Sequence, residues 1–197
     1  MTTAKTGLPG GRALAVSFAG LGGQGIVLAG VILGEAAVES GLWACQSAAY
    51  TVAARGGLAR SEVLISDGPL ACPLAEELDA VLALAELGWT AEGRRLAPGG
   101  VGLVEEGLRL GDTPAGRRVL TVPFAGTAAG SGAPRSANVV AVGVLAGLMA
   151  AVPLEPLLAA VGRHLPASRT ATAAAEAGYT LGRQLGSSLE GITWVKR

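Results

Sequence analysis

Apolar residues along this chain come in two rhythms. Short continuous runs at residues 13–19 (ALAVSFA), 80–84 and 101–104 have strand length and no polar alternation, the pattern of strands covered on both faces. Residues 42–45, 60–66 and 119–123 add three strand candidates, the second rich in branched side chains and closed by Asp67-Gly68-Pro69. Longer stretches predict helices over residues 26–39, 89–96, 136–151, 154–161 and 170–185, with Gly41 placed to stop the first. Residues 46–57 read as a polar, glycine-containing connection, and Pro98-Gly99-Gly100 as a turn into the strand at 101. Strands alternating with helices through short glycine loops predict an α/β fold. Its expected form is an open, largely parallel sheet with helices on both faces, a Rossmann-like three-layer domain. Residues 1–12 read as a flexible N-terminal tail and 13–197 as one domain.

Two of the helical stretches are almost free of charge. Residues 26–39 carry only Glu35 and Glu39, and residues 136–154 carry none, so both are expected to be covered on more than one side. The second holds Gly143-x-x-x-Gly147, the spacing of membrane helix contacts. Between Asn138 and Pro153, however, only residues 139–152 remain, well short of the roughly 20 needed to span a bilayer. A buried core helix is the expected reading, with no membrane partner.

Composition sharpens this picture. With aromatic residues at 4%, Ala, Val and Leu have to build the core, and 31 glycines among 197 residues imply close backbone packing. Fifteen basic and fifteen acidic residues cancel, which argues against a nucleic-acid partner. Cys45 and Cys72 show neither CxxC nor cluster spacing, so any iron–sulfur chemistry is expected in another chain, and a reduced, cytoplasmic protein is the expected setting.

Candidate chemistry lies in two glycine turns. Gly20-Leu21-Gly22-Gly23-Gln24-Gly25 sits between a strand and a helix, where glycines permit positive φ and the helix N-terminus presents free N–H groups. A dinucleotide site would add an acidic residue about 20 positions on, at the end of the next strand. Cys45, Gln46 and Ser47 stand there instead, and no GK[ST] follows the glycines. The second turn, Arg55-Gly56-Gly57, has Arg60 beyond it; the two arginines can fix an anion or a partner's carboxylates, or simply be solvated beside an ordinary turn.

The glycine turn with Ala29-Gly30, Tyr50 ahead of Arg55-Gly56-Gly57, and Ser61-Glu62-Val63 through Ile65-Ser66-Asp67 resemble the gamma subunits of 2-oxoacid:ferredoxin oxidoreductases. Pro98-Gly99-Gly100, Asn138 to Gly143, and Ala177-Gly178-Tyr179 extend the resemblance over about residues 13–182, and the small subunit of indolepyruvate oxidoreductase is similar too. Thr51, Val52 and Ala53 depart from it, standing where the family usually has glycine, proline and glutamate. The resemblance implies a subunit inactive alone, in a complex converting a 2-oxoacid (pyruvate among them) and coenzyme A to acyl-CoA, carbon dioxide and reduced ferredoxin. It implies no cofactor bound by this chain alone. Thiamine diphosphate, magnesium and iron–sulfur clusters would sit in alpha, beta and sometimes delta partners. The site expected here is Gly20, Gly22, Gly23, Gln24, Gly25, Arg55, Gly56 and Gly57, facing those partners and coenzyme A, with no catalytic or metal-binding residue. Gln24 and Arg55 are expected to be replaceable without disturbing the turns.

Two other readings stay open: a free-standing dinucleotide-binding protein, and a noncatalytic assembly or regulatory protein of the same fold. His164, the only histidine, reads as solvated at a helix end, and Glu76-Glu77 and Glu105-Glu106 as solvated surface pairs.

Overall fold

A computed structural model describes residues 13–51, 57–70, 74–111, 115–166 and 169–188. The expected tail at residues 1–12, Cys72, Arg55 and Gly56 lie outside them. The chain runs β1 (Leu14–Leu21), α1 (Ile26–Glu39), β2 (Trp43–Tyr50), β3 (Leu58–Ser66), β4 (Leu78–Ala83), α2 (Glu86–Glu92), β5 (Leu96–Glu105), β6 (Arg118–Val122). Four helices follow: α3 (Phe124–Gly130), α4 (Ala137–Met149), α5 (Leu154–His164) and α6 (Arg169–Ser188).

The six strands form one sheet in the order β2-β3-β1-β4-β5-β6. β1, β4, β5 and β6 are mutually parallel, while β3 runs antiparallel to both β1 and β2. The sheet is therefore mixed, which corrects the expectation of a largely parallel Rossmann-like sheet. The cause is the length of β2, which continues past Cys45 to Tyr50. Gln46 stays in the strand because its amide Nε2 donates to the Val27 carbonyl and to Ser61 Oγ beneath α1. Only residues 51–57 are then left between β2 and β3. A parallel crossover takes a dozen residues or more, so the two strands close as a hairpin.

Other boundaries moved less. α1 occupies the expected residues, but α2 begins at Glu86, and a 3-10 turn at Gly93–Arg95 delivers the chain into β5 at Leu96. Pro98-Gly99-Gly100 is thus an irregular stretch of β5, not a turn before it. α3 has no counterpart in the sequence reading.

Helices do cover both faces, unequally. α1, α3, α4, α5 and α6 build the main core on one face, with Phe18, Ile32, Leu103, Phe124 and Leu145 at its centre. The short α2 covers the other, where Trp89 packs with Leu64, Val81 and Val104. All of α4 from Asn138 to Met149 is buried. It lies directly against α6: a methyl added at Gly143 or Gly147 would strike α6 backbone, and one at Gly178 or Gly182 would strike α4 backbone. The small-residue spacing read in the sequence is a close crossing of two helices inside the core. No helix among the described residues is long and apolar enough to cross a membrane.

Candidate functional site

The first glycine turn is built by main-chain need. Gly23 has φ 88° and Gly25 φ 71°, left-handed conformations that a side chain disfavours. Between them Gln24 folds back over β1. Its Oε1 accepts the Leu21 N–H at 2.6 Å, and its Nε2 donates to the Leu84 carbonyl at 3.2 Å. Gly20 lies beneath that amide, where a methyl would collide with it. Gln24 is therefore a staple between the ends of β1 and β4, and its polar atoms are spent on backbone. This corrects the expectation that it could be removed without disturbing the turn.

Gly25 caps α1 with no side-chain assistance, and the first turn of α1 holds no acidic residue. Its carbonyl accepts a bond from Asn138 Nδ2 at 3.1 Å, so the N-terminus of α4 is tied to that of α1. The second turn arrives by the hairpin. The Gly22 N–H donates to the Gly57 carbonyl at 2.9 Å, and the Thr51 N–H to the Leu58 carbonyl at 2.9 Å. Leu21 sits opposite Leu58 in register. A cavity of about 550 Å³ opens between the turns, walled by Gly22, Gly23, Val27, Tyr50, Thr51 and Gly57 among others. Tyr50 stands at its rim, 73% exposed.

Of the predicted residues, Gly22, Gly23, Gly25 and Gly57 meet at this cavity, Gly20 and Gln24 are not among its walls, and Arg55 and Gly56 fall outside the described residues. Tyr50 and Thr51 line it without having been singled out as site residues. Asn138, 113 positions from its partner, could not be paired from sequence. Chemically the described walls offer the uncapped N-terminal N–H groups of α1 and apolar surface. They hold no acid–base pair. Among the described residues no group of three or more His, Cys, Asp or Glu side chains is placed for a metal ion.

Arg60 does not face this cavity as a free cation. It bonds Glu92 Oε1 at 3.2 Å, at one end of a chain of charges on the α2 face. Arg95 joins Glu92 at 2.7 Å to Glu62 at 2.9 Å, and both carboxylates are buried. His164 is likewise not free in solvent: Nε2 lies 2.9 Å from Glu35 Oε1, while Arg163 bridges Glu35 and Glu39. The bond from His164 is the main reason that the Glu35 carboxyl is held below its ordinary range. Glu105 is no solvated surface residue either. It is half-buried, accepts the Ala125 N–H at the start of α3, and burial pushes its carboxyl upward.

Comparison with known proteins places this architecture. Residues 15–181 match the family described as pyruvate ferredoxin/flavodoxin oxidoreductase. The chain belongs to that family. The crystal structure of a keto/oxoacid ferredoxin oxidoreductase gamma subunit from Geobacter sulfurreducens is 32% identical, with a TM-score of 0.73, covering 90% of this chain and 98% of that one. A 2-oxoglutarate:ferredoxin oxidoreductase from Magnetococcus marinus shares the fold, with a TM-score of 0.77 at 22% identity, over 90% of this chain but 32% of its own. The 2-oxoglutarate synthase subunit KorC of Methanocaldococcus jannaschii is 42% identical over 94 residues, which is 47% of this chain and half the length of that relative. Among proteins of this fold the domain thus forms nearly a whole chain or about a third of a longer one.

Proposed function

We propose that this chain is the gamma subunit of a thiamine diphosphate-dependent 2-oxoacid:ferredoxin oxidoreductase, and that the glycine cavity is its working surface. The reaction would take a 2-oxoacid and coenzyme A to an acyl-CoA and carbon dioxide, passing two electrons to ferredoxin. Thiamine diphosphate, its magnesium and the clusters would belong to companion alpha, beta or delta chains, a division supported by the walls of the cavity. Main-chain N–H groups and Val, Tyr and Thr side chains suit an amide-containing or anionic ligand, and they do not suit a cluster or a metal–diphosphate. The chain's part would be assembly and the entrance for coenzyme A.

The observation that supports this reading is that the first family turn and Gly57 of the second meet at one cavity, fastened by the Gly22–Gly57 bond. The dinucleotide reading draws no support from β2, which carries no carboxylate along its length and ends on Ala49 and Tyr50.

The test is reconstitution with the companion subunits, supplying 2-oxoglutarate first because curated relatives bear that substrate's name. Tyr50→Ala and Arg55→Ala are expected to leave the melting temperature of the chain unchanged and to raise the KM for coenzyme A at least several-fold. Wild-type kinetics in both variants would leave the cavity as structure only. A complex that oxidises no 2-oxoacid would overturn the assignment itself.

A further inference from the structure

A second cavity, of about 600 Å³, lies farther along α1, between that helix, β2 and the end of α5. Val31 and Gly34 form one wall, Ala44 and Gln46 of β2 the floor, and Glu35, Glu39 and Arg163 close the far end. Val27, at the rim of the glycine cavity, lies one helical turn from Val31 on the same face of α1, so the two cavities follow one another along a groove-like face of that helix. It runs the length of α1, about 20 Å for a helix of this size.

Three features set this face apart. Of the six large apolar residues exposed among the described ones, Val27, Val38, Trp43 and Tyr50 belong to α1 and β2. β2 is an edge strand of eight residues without a charge or a proline, whereas the opposite edge, β6, is shorter and opens on Arg118. Edge strands in proteins that stay apart are normally guarded by such residues. The carboxylates at the far end are matched by Arg163 and His164, so the groove offers no unpaired charge to a partner.

We infer that this groove, with the outer edge of β2, is the seat of the companion subunit that carries the reaction's cofactors, which lays an uncharged apolar segment along it. The inference rests on the function proposed above. That function requires a companion to reach the glycine cavity, and the groove opens onto the cavity at Val27 and Tyr50. A charged partner surface would be left unpaired there, which selects a neutral one.

The experiment uses the full chain co-expressed with its companion subunits. Val38→Lys and Val31→Lys change the groove, and Leu87→Lys, an exposed residue on the α2 face, serves as control. Complex formation is read by size exclusion with light scattering, and backbone hydrogen exchange compares β2 in the free chain and in the complex. The expected result is loss of the complex in both groove variants, normal assembly of the control, and slowed exchange along β2 in the wild-type complex. Wild-type assembly of Val38→Lys, protection falling elsewhere with β2 unchanged, or a homodimer of the lone chain closing over β2 would each overturn it. Should Val31→Lys fail to fold, Val38→Lys and the exchange measurement still decide. An assembled complex that oxidises no 2-oxoacid would count against the functional reading, while the exchange pattern would still judge the groove.

Discussion

Gly22 and Gly57, from two separate glycine turns, are joined backbone to backbone at 2.9 Å. The reversed strand β3 makes this possible. Had β2 and β3 been parallel, the loop between them would end at the opposite edge of the sheet from Gly22. The hairpin returns the chain to the carboxyl end of β1, so an expectation that failed for the sheet is what unites the expected site.

Replacing Gln24 tests how far the turn depends on its staple. Gln24→Ala leaves the Leu21 N–H and the Leu84 carbonyl without their side-chain partner. Loss of such bonds in a partly buried place costs about 1–3 kcal/mol. A fall in melting temperature of several degrees is expected in thermal unfolding followed by circular dichroism, and an unchanged value would show that the staple is dispensable.

Two glycine-related exchanges should act in opposite senses to a third. At Gly162 in α5 an added methyl meets nothing within 4 Å, so Gly162→Ala is expected to stabilise by about 0.5–1 kcal/mol. Ala150, the cap of α4, holds φ 55°, so Ala150→Gly is expected to relieve about 1 kcal/mol. Gly147→Ala drives a methyl into the Tyr179 carbonyl and should cost at least about 2 kcal/mol or prevent folding. Denaturant midpoints of the three variants decide the signs.

The buried charge chain gives a larger effect. Glu92→Gln leaves Arg95 with one carboxylate partner and Arg60 with none of its own on that residue. Breaking a buried pair from one side typically costs about 3–5 kcal/mol, reduced here because Arg60 is partly solvated. Urea unfolding of this variant beside wild type reads the difference directly.

Acid should weaken the clasp between α1 and α5. The Glu35 carboxyl, held below its ordinary value of 4.5 chiefly by the His164 bond, adds stability that is complete above that value and is lost as pH falls through the lowered one. The pair is partly exposed, so the gain is at most about 1 kcal/mol. Glu35→Gln should therefore melt slightly below wild type at pH 7, and the gap should close as pH falls through the lowered carboxyl value. A gap that stays constant with pH would mean that the ion pair contributes nothing.

What could be read from sequence was local. The bounds of α1 followed from the glycines before it and Gly41 after it, and the six strands were each visible as short apolar or branched-residue stretches. Strand direction was not legible, because Gln46 and Ser47 look like loop residues until the partners of Gln46, Val27 and Ser61, are in place. The same holds for the site. Glycines announce a turn by their own chemistry, but Asn138 and Leu84 acquire their roles only through distant contacts, and Gln24 reads as replaceable in sequence for that reason.

The crossing of α4 and α6 also constrains how the protein comes into being. α4 is apolar on every side, and its glycines fit only the backbone of the last described helix. During synthesis its surface must wait, unmatched, until residues near Gly182 have left the ribosome. The sheet can assemble earlier from its own neighbours, but its main core closes late. Chains cut short before α6 are accordingly expected to be recognised as unfinished and removed rather than to accumulate as smaller folded domains.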